Sequence, residues 1–127
     1  DWDEHLKWFI ANYANRHWYV AEVLDPLAVL RVPVGACRID LDQHGVAWIS
    51  IVCDSRERGK GYGTALIRLA TAAYQTEATP REVGIVYPPG CVYARIHQLN
   101  APSIRAFEKA DYVRNRKDGV WLIYRKE

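Results

Sequence analysis

The chain has 127 residues, half of them hydrophobic and a quarter charged, with 17 basic against 15 acidic side chains. That balance excludes intrinsic disorder, and no apolar stretch nears the roughly 18–20 residues that a membrane crossing needs. A net charge of +2, a pI near 8.5 and the lack of a dense basic stripe point away from a nucleic-acid partner.

The N-terminal Asp1-Trp2-Asp3-Glu4-His5 is acidic and polar, unlike a secretory leader. From Asp3 to Tyr13 the apolar residues Leu6, Phe9, Ile10 and Tyr13 recur at spacings of three and four, which predicts a helix. Trp18 to Val23 is β-branched and aromatic and stops at Leu24-Asp25-Pro26, a strand followed by a turn. Leu27 to Val32 is apolar but runs into Pro33, so it reads equally as a strand edge or a loop. Val34 to Leu41 and Val46 to Cys53 form a hairpin about Asp42-Gln43-His44-Gly45.

A polar, glycine-rich loop follows, from Asp54 to Gly63, and then a helix from Thr64 to Tyr74 with Leu66, Leu69, Ala70 and Ala73 on one face. Thr76 to Gly90 is loop-rich, and a strand at Val83 to Tyr87 stays undecided. Cys91 to His97 is strand-like; Asn100 reads as the N-cap of a helix with Pro102 in its first turn. Tyr112 to Arg116 and Val120 to Arg125 close the chain as a hairpin about Lys117-Asp118-Gly119. The order of elements predicts one mixed α/β (α+β) domain over residues 1–127.

Cys37, Cys53 and Cys91 are odd in number, and no CxxC pair is present. Neither a metal site nor a disulfide framework is expected, and reduced buried thiols fit a cytoplasmic protein. There is no methionine. Asp1 is therefore not read as a native start, and a trimmed chain or a piece of a longer one is expected.

The chemistry concentrates at Arg58-Gly59-Lys60-Gly61-Tyr62-Gly63-Thr64. Glycines let a ligand approach the main chain, and successive N–H groups at a helix start make a concavity for anions. Arg58 and Lys60 add positive charge, so the loop suits a diphosphate. It matches neither a Walker loop nor the G-x-G-x-x-G fingerprint.

Arg58-x-x-Gly61-x-Gly63 after a hydrophobic strand resembles the acetyl-CoA motif, Gln/Arg-x-x-Gly-x-Gly/Ala, of the GNAT superfamily of N-acetyltransferases. A second stretch, Ile96 to Tyr112, resembles the same family's later strand, Asn-x-x-Ser and helix. The resemblance implies a mostly antiparallel twisted sheet flanked by helices, here with an N-terminal strand missing, and acetyl-CoA as cosubstrate. It implies that the strand before the loop splays from its neighbour, so that Ile51, Val52 and Cys53 pair with the pantetheine arm. Asn100 and Ser103 would contact the coenzyme or an ordered water; simple helix capping explains them equally well.

One position departs from the family. Many members carry a tyrosine seven residues after the Asn as acid for the leaving thiolate; here Phe107 stands there and cannot donate. Tyr93 or a water is the substitute. Positioning outweighs this loss, since holding amine and thioester together contributes on the order of 7–11 kcal/mol.

For the acceptor, Ser50 could hold a relay water and His97 or His5 accept a proton, although structural roles for both histidines are the ordinary alternative. His5-Leu6-Lys7-Trp8-Phe9 resembles the His-x-x-Trp-Phe helix of family members that acetylate amino-sugar nucleotides, with Trp8 stacking on a sugar or base. The expected reaction is acetyl transfer to the amine of such a sugar. Acetylation of a protein N-terminus or ribosomal protein, and a non-catalytic acyl-CoA-binding domain, are the alternatives. No membrane partner is expected; a homodimer and membership of a larger chain both stay open.

Overall fold

The computed structural model describes residues 6–13, 16–25, 30–53, 61–77 and 90–127. In chain order these form β1 (Leu6–Tyr13), β2 (Arg16–Asp25), β3 (Leu30–Leu41), β4 (Ala47–Cys53), α1 (Tyr62–Glu77), β5 (Val92–His97), α2 (Ala101–Lys109), β6 (Val113–Asp118) and β7 (Trp121–Lys126). The strands make one sheet in the order β1-β2-β3-β4-β5-β7-β6. All neighbours are antiparallel except β4 and β5, which the crossover through α1 makes parallel.

The expected N-terminal helix is corrected. Residues Leu6–Tyr13 form a strand paired with β2 along its whole length, from Leu6 opposite Val23 to Tyr13 opposite Arg16. Spacings of three and four over so short a run do not separate a helix from a strand. The run Trp8-Phe9-Ile10 is aromatic and β-branched, and a neighbouring strand was there to pair with it.

Pro33 does not end a strand either. Ala21 lies opposite Gly35 and Glu22 opposite Pro33, so Val34 is one residue extra, and β3 runs through Leu30–Leu41 with a bulge. A bulge is where a sheet tolerates a residue without an N–H. The last hairpin turns one residue later than expected: Asp118 pairs with Trp121, leaving Gly119 and Val120 as a two-residue turn. Gly119 has φ +61, as the first position of a type II′ turn requires.

Both helices pack on one face of the sheet. Strand residues Ile39, Ile49, Ala94, Ile96 and Tyr124 meet Leu66, Ile67, Ala70 and Tyr74 of α1 and Phe107 of α2 in a single buried cluster. The helices are also tied to each other, since the Arg68 guanidinium donates to the Lys109 carbonyl. Between α1 and the residue preceding β6, Thr71 Oγ1 and the Tyr112 hydroxyl share a buried hydrogen bond of 2.6 Å. Alternation along each strand sends the intervening residues, Trp48, Ser50, Tyr93 and Arg95 among them, to the opposite face. No helix among the described residues is long and apolar enough to cross a membrane.

Candidate active site

The parallel seam between β4 and β5 is short. Only Ala47–Val92, Trp48–Tyr93 and Ile49–Ala94 are paired. Beyond Ile49, β4 stays bonded to β3 as far as Cys53 opposite Gly35, while β5 follows β7 as far as His97 opposite Trp121. The two strands therefore part at Ser50 and Arg95, and among the described residues no strand lies beside the edge of β4 from Ser50 to Cys53 on the β5 side. Unpaired backbone donors and acceptors on a sheet edge are a template for an extended ligand.

The chain leaves β4 at the open end of this wedge and enters α1. Gly61 sits at φ +81 and its carbonyl accepts the first helical bond, from the Ala65 N–H at 3.2 Å. The N–H groups of Tyr62, Gly63 and Thr64 thus have no acceptor within the helix, and no acidic side chain lies in the first turn to neutralise the dipole. Arg58, Gly59 and Lys60, like His5, lie outside the described residues.

At the vertex of the wedge, on the face without helices, a cavity of about 500 Å³ opens, within the range of small-molecule sites. Trp48, Ile49 and Ser50 line it from β4, Arg95 from β5, Ile123 from β7, and Arg116 and Asp118 from β6. Trp48 is held twice. Its Nε1–H donates to Asp42 Oδ2 at 2.9 Å, and its ring lies 5.6 Å from that of Tyr93. Burial works against the Asp42 carboxylate, but donors from Trp48, Val46 and His44 together lower its pKa from the ordinary value. Arg95 stacks its guanidinium 4.4 Å above the Trp121 ring, whose edge meets His97 at 5.3 Å.

The other expected site residues scatter. Ser50 is exposed at the wedge vertex, and Ile51, Val52 and Cys53 follow, paired with β3 and, among the described residues, with no strand on the β5 side. His97 is not in the cavity lining; its Nδ1 accepts from the Leu99 N–H at 3.1 Å, which leaves the proton on Nε2 in the neutral ring. Asn100 caps α2, its Oδ1 accepting from the Ser103 N–H at 3.3 Å. Phe107 is 3% exposed and packs edge to face on Tyr112 at 5.0 Å. Trp8 stands on β1, three strands from β4 and so roughly 14 Å away at the usual strand spacing. Arg95, Arg116 and Asp118 were not legible as site residues, because only the β5-β7-β6 order brings them together. Among the described residues no cluster of His, Cys, Asp and Glu could hold a metal ion.

The model of the acetyltransferase (GNAT) family matches residues 1–112. No curated protein is significantly similar in sequence. Among solved structures, a domain from Methanocaldococcus jannaschii superposes with a TM-score of 0.69 at 19% identity, covering 91% of this chain and 68% of the other. The Campylobacter jejuni N-acetyltransferase PseH, in complex with acetyl coenzyme A, gives 0.60 at 6% identity over 91% and 70%. The Vibrio cholerae spermidine N-acetyltransferase, in complex with CoA and spermine, gives 0.62 at 15% over 88% and 64%. At such identities the likeness establishes the fold, and this chain spans about two thirds of each of those proteins.

Proposed function

This chain belongs to the acetyltransferase (GNAT) family, and from that premise we propose that residues 1–127 act as one acetyl-CoA-dependent N-acetyltransferase domain on a small primary amine. The observation that carries the proposal is the wedge, where among the described residues β4 has no partner on the β5 side after Ile49 while β5 follows β7. The free edge at Ile51, Val52 and Cys53 suits the amide-bearing pantetheine arm, which would sit there as an added strand. The first-turn amides of α1 suit the pyrophosphate, with Arg58, Gly59, Lys60, Gly61, Tyr62, Gly63 and Thr64 as its loop.

Acetyl-CoA supplies an activated acyl carbon. The residues of the chain bind it, aim it and present the amine. An edge N–H of β4 pointed at the thioester oxygen would stabilise the developing oxyanion, worth on the order of 3–4 kcal/mol where such donors have been removed from other enzymes. Ser50, exposed at the vertex, is placed to hold a water that takes the amine proton. Tyr93, half-buried beside Trp48, is the candidate donor to the leaving thiolate, since Phe107 has no proton to give. The acceptor we favour is a nucleotide-linked amino sugar in the cytoplasm.

The buried ring of Phe107 also favours a second reading, a domain that binds acyl-CoA without turning it over. Two measurements separate them. Calorimetry with acetyl-CoA should show one site, and thiol release across an amine panel should show turnover. Binding without turnover on any amine selects the second reading; no binding at all removes both.

A further inference from the structure

The geometry points to an acceptor that carries an anionic group as well as its amine, the anion held by Arg95 and Arg116 and the amine left toward the wedge. This rests on the acetyltransferase reading and narrows its substrate to a zwitterionic class.

Register fixes the arrangement. Arg95 of β5 and Arg116 of β6 are both opposite Ile123 of β7, so the three stand in one row across the sheet. The two arginine backbones are about 10 Å apart at the usual strand spacing, with Ile123 between them. Both arginines are exposed, whereas Ile123 is 2% exposed, so it floors the cavity and the guanidiniums wall it. A phosphate or carboxylate seated over Ile123 can be forked from either side, which a lysine could not do. Asp118 lies opposite Trp121, in the adjacent row of the same face.

The charges are also available. Arg38, on β3, is paired with Asp40 at 2.6 Å, but Arg95, Arg116 and Asp118 form no ion pair among the described residues. Two guanidiniums against one carboxylate leave the cavity cationic, a poor host for a polyamine and a good one for an amine with an anion attached. Arg95 is pre-placed by the Trp121 ring beneath it, and Trp121 in turn by His97, whose ring is pinned through Leu99. Ser50, where the row reaches the wedge, leaves the amine facing the thioester's place.

The test is calorimetry without coenzyme, using glucosamine 6-phosphate, 4-aminobutyrate, glucosamine and spermidine, on the wild type, Arg95→Gln, Arg95→Lys, Arg116→Gln and Asp118→Asn. The two anionic amines should bind about tenfold or more tightly than glucosamine, as charge-assisted bonds imply. Arg95→Gln and Arg116→Gln should erase that preference, Arg95→Lys should restore part of it, and Asp118→Asn, which removes the carboxylate beside the two arginines, should not weaken the anionic amines. Whichever of phosphate and carboxylate binds more tightly identifies the anion. Equal binding of glucosamine, preference for spermidine, or a preference that survives both glutamine variants would overturn the proposal. A parallel titration with acetyl-CoA should be indifferent to these four variants. Loss of coenzyme affinity in them would place the arginines at the coenzyme instead, and its absence in the wild type would sink the acetyltransferase reading separately.

Discussion

The Thr71–Tyr112 bond offers a sharp test of how α1 is held against the sheet. Both residues are 3% exposed, and their hydroxyls share a hydrogen bond of 2.6 Å across 41 residues of sequence. Removing one partner strands the other hydroxyl in the core, at about 1–3 kcal/mol; removing both with shape retained is close to neutral. Thr71→Val and Tyr112→Phe each remove one hydroxyl at nearly constant volume. The two are not equivalent, however. A helical threonine can turn back to the carbonyl four residues earlier, as Thr76 does to Ala72 at 2.8 Å, whereas the Tyr112 phenol has no such local fallback.

Thr71→Val should therefore cost more than Tyr112→Phe, and the double variant less than the sum by about 1–3 kcal/mol. At roughly 3–5 °C per kcal/mol for a domain of this size, calorimetric melting resolves the difference. Burial, the largest influence, also raises the Tyr112 pKa, against the lowering effect of the Thr71 bond. A raised phenol pKa contributes stability that is fully present below pH ~10 and lost as pH climbs above it. Tyr112→Phe should accordingly flatten the alkaline decline of Tm. Strict additivity of the two single variants would refute the reasoning, because it would mean the hydroxyls do not interact. Thr71 lies about two and a half turns into α1, so acetyl-CoA affinity should be unmoved in all three variants.

Gly61→Ala forces a side chain into φ +81 at the start of α1, and should lower stability by about 1 kcal/mol while weakening acetyl-CoA binding by calorimetry. Asn100→Ala removes the cap on α2 and should cost about 0.5–1 kcal/mol in a denaturant titration without changing acceptor preference. Asp42→Asn replaces the carboxylate that holds Trp48 Nε1 and two turn amides. Its lowered pKa means that its stabilisation is present above the ordinary carboxylate range and lost as pH falls through it. The variant should therefore melt below the wild type at neutral pH and converge with it in acid, with KM for the acceptor raised through the loosened Trp48.

What the sequence disclosed was the part set by local chemistry. The Asn100 cap and the Asp42–Gly45 turn depend on residues within one turn of each other, and both stand as read; of the glycine-rich loop only Gly61 onward is described, and α1 already begins at Tyr62, two residues before the expected Thr64. Leu6–Tyr13 misled because its pattern satisfies two periods, and β2 decided between them. Pro33 misled because its missing N–H is absorbed by a bulge, which only the pairing with β2 reveals. The cavity was hidden for a different reason. Arg95 and Arg116 share only the non-sequential neighbour β7, and the chain crosses α2 between them. Nothing in the spacing of two exposed arginines distinguishes such a pair from solvated surface charge.

The position of the wedge follows from the topology. β1 to β4 form an antiparallel meander, β5, β7 and β6 form a second antiparallel unit, and the two are joined by a parallel seam of three pairs. Parallel pairing is the weaker kind per residue, and each unit keeps its own twist, so the sheet separates most readily at that seam. α1 bridges the seam on one face, burying Leu66, Ile67 and Ala70 in the common core, and thereby prevents the two units from parting altogether. A ligand that supplies amides along Ser50–Cys53 would replace the missing ladder and bind at the one edge inside the sheet. Such a ligand stiffens the junction between the units, so amide exchange in β4 should slow on acetyl-CoA binding more than in β6, an outer strand remote from the filled edge. Equal slowing in both strands would mean that the coenzyme does not complete the sheet.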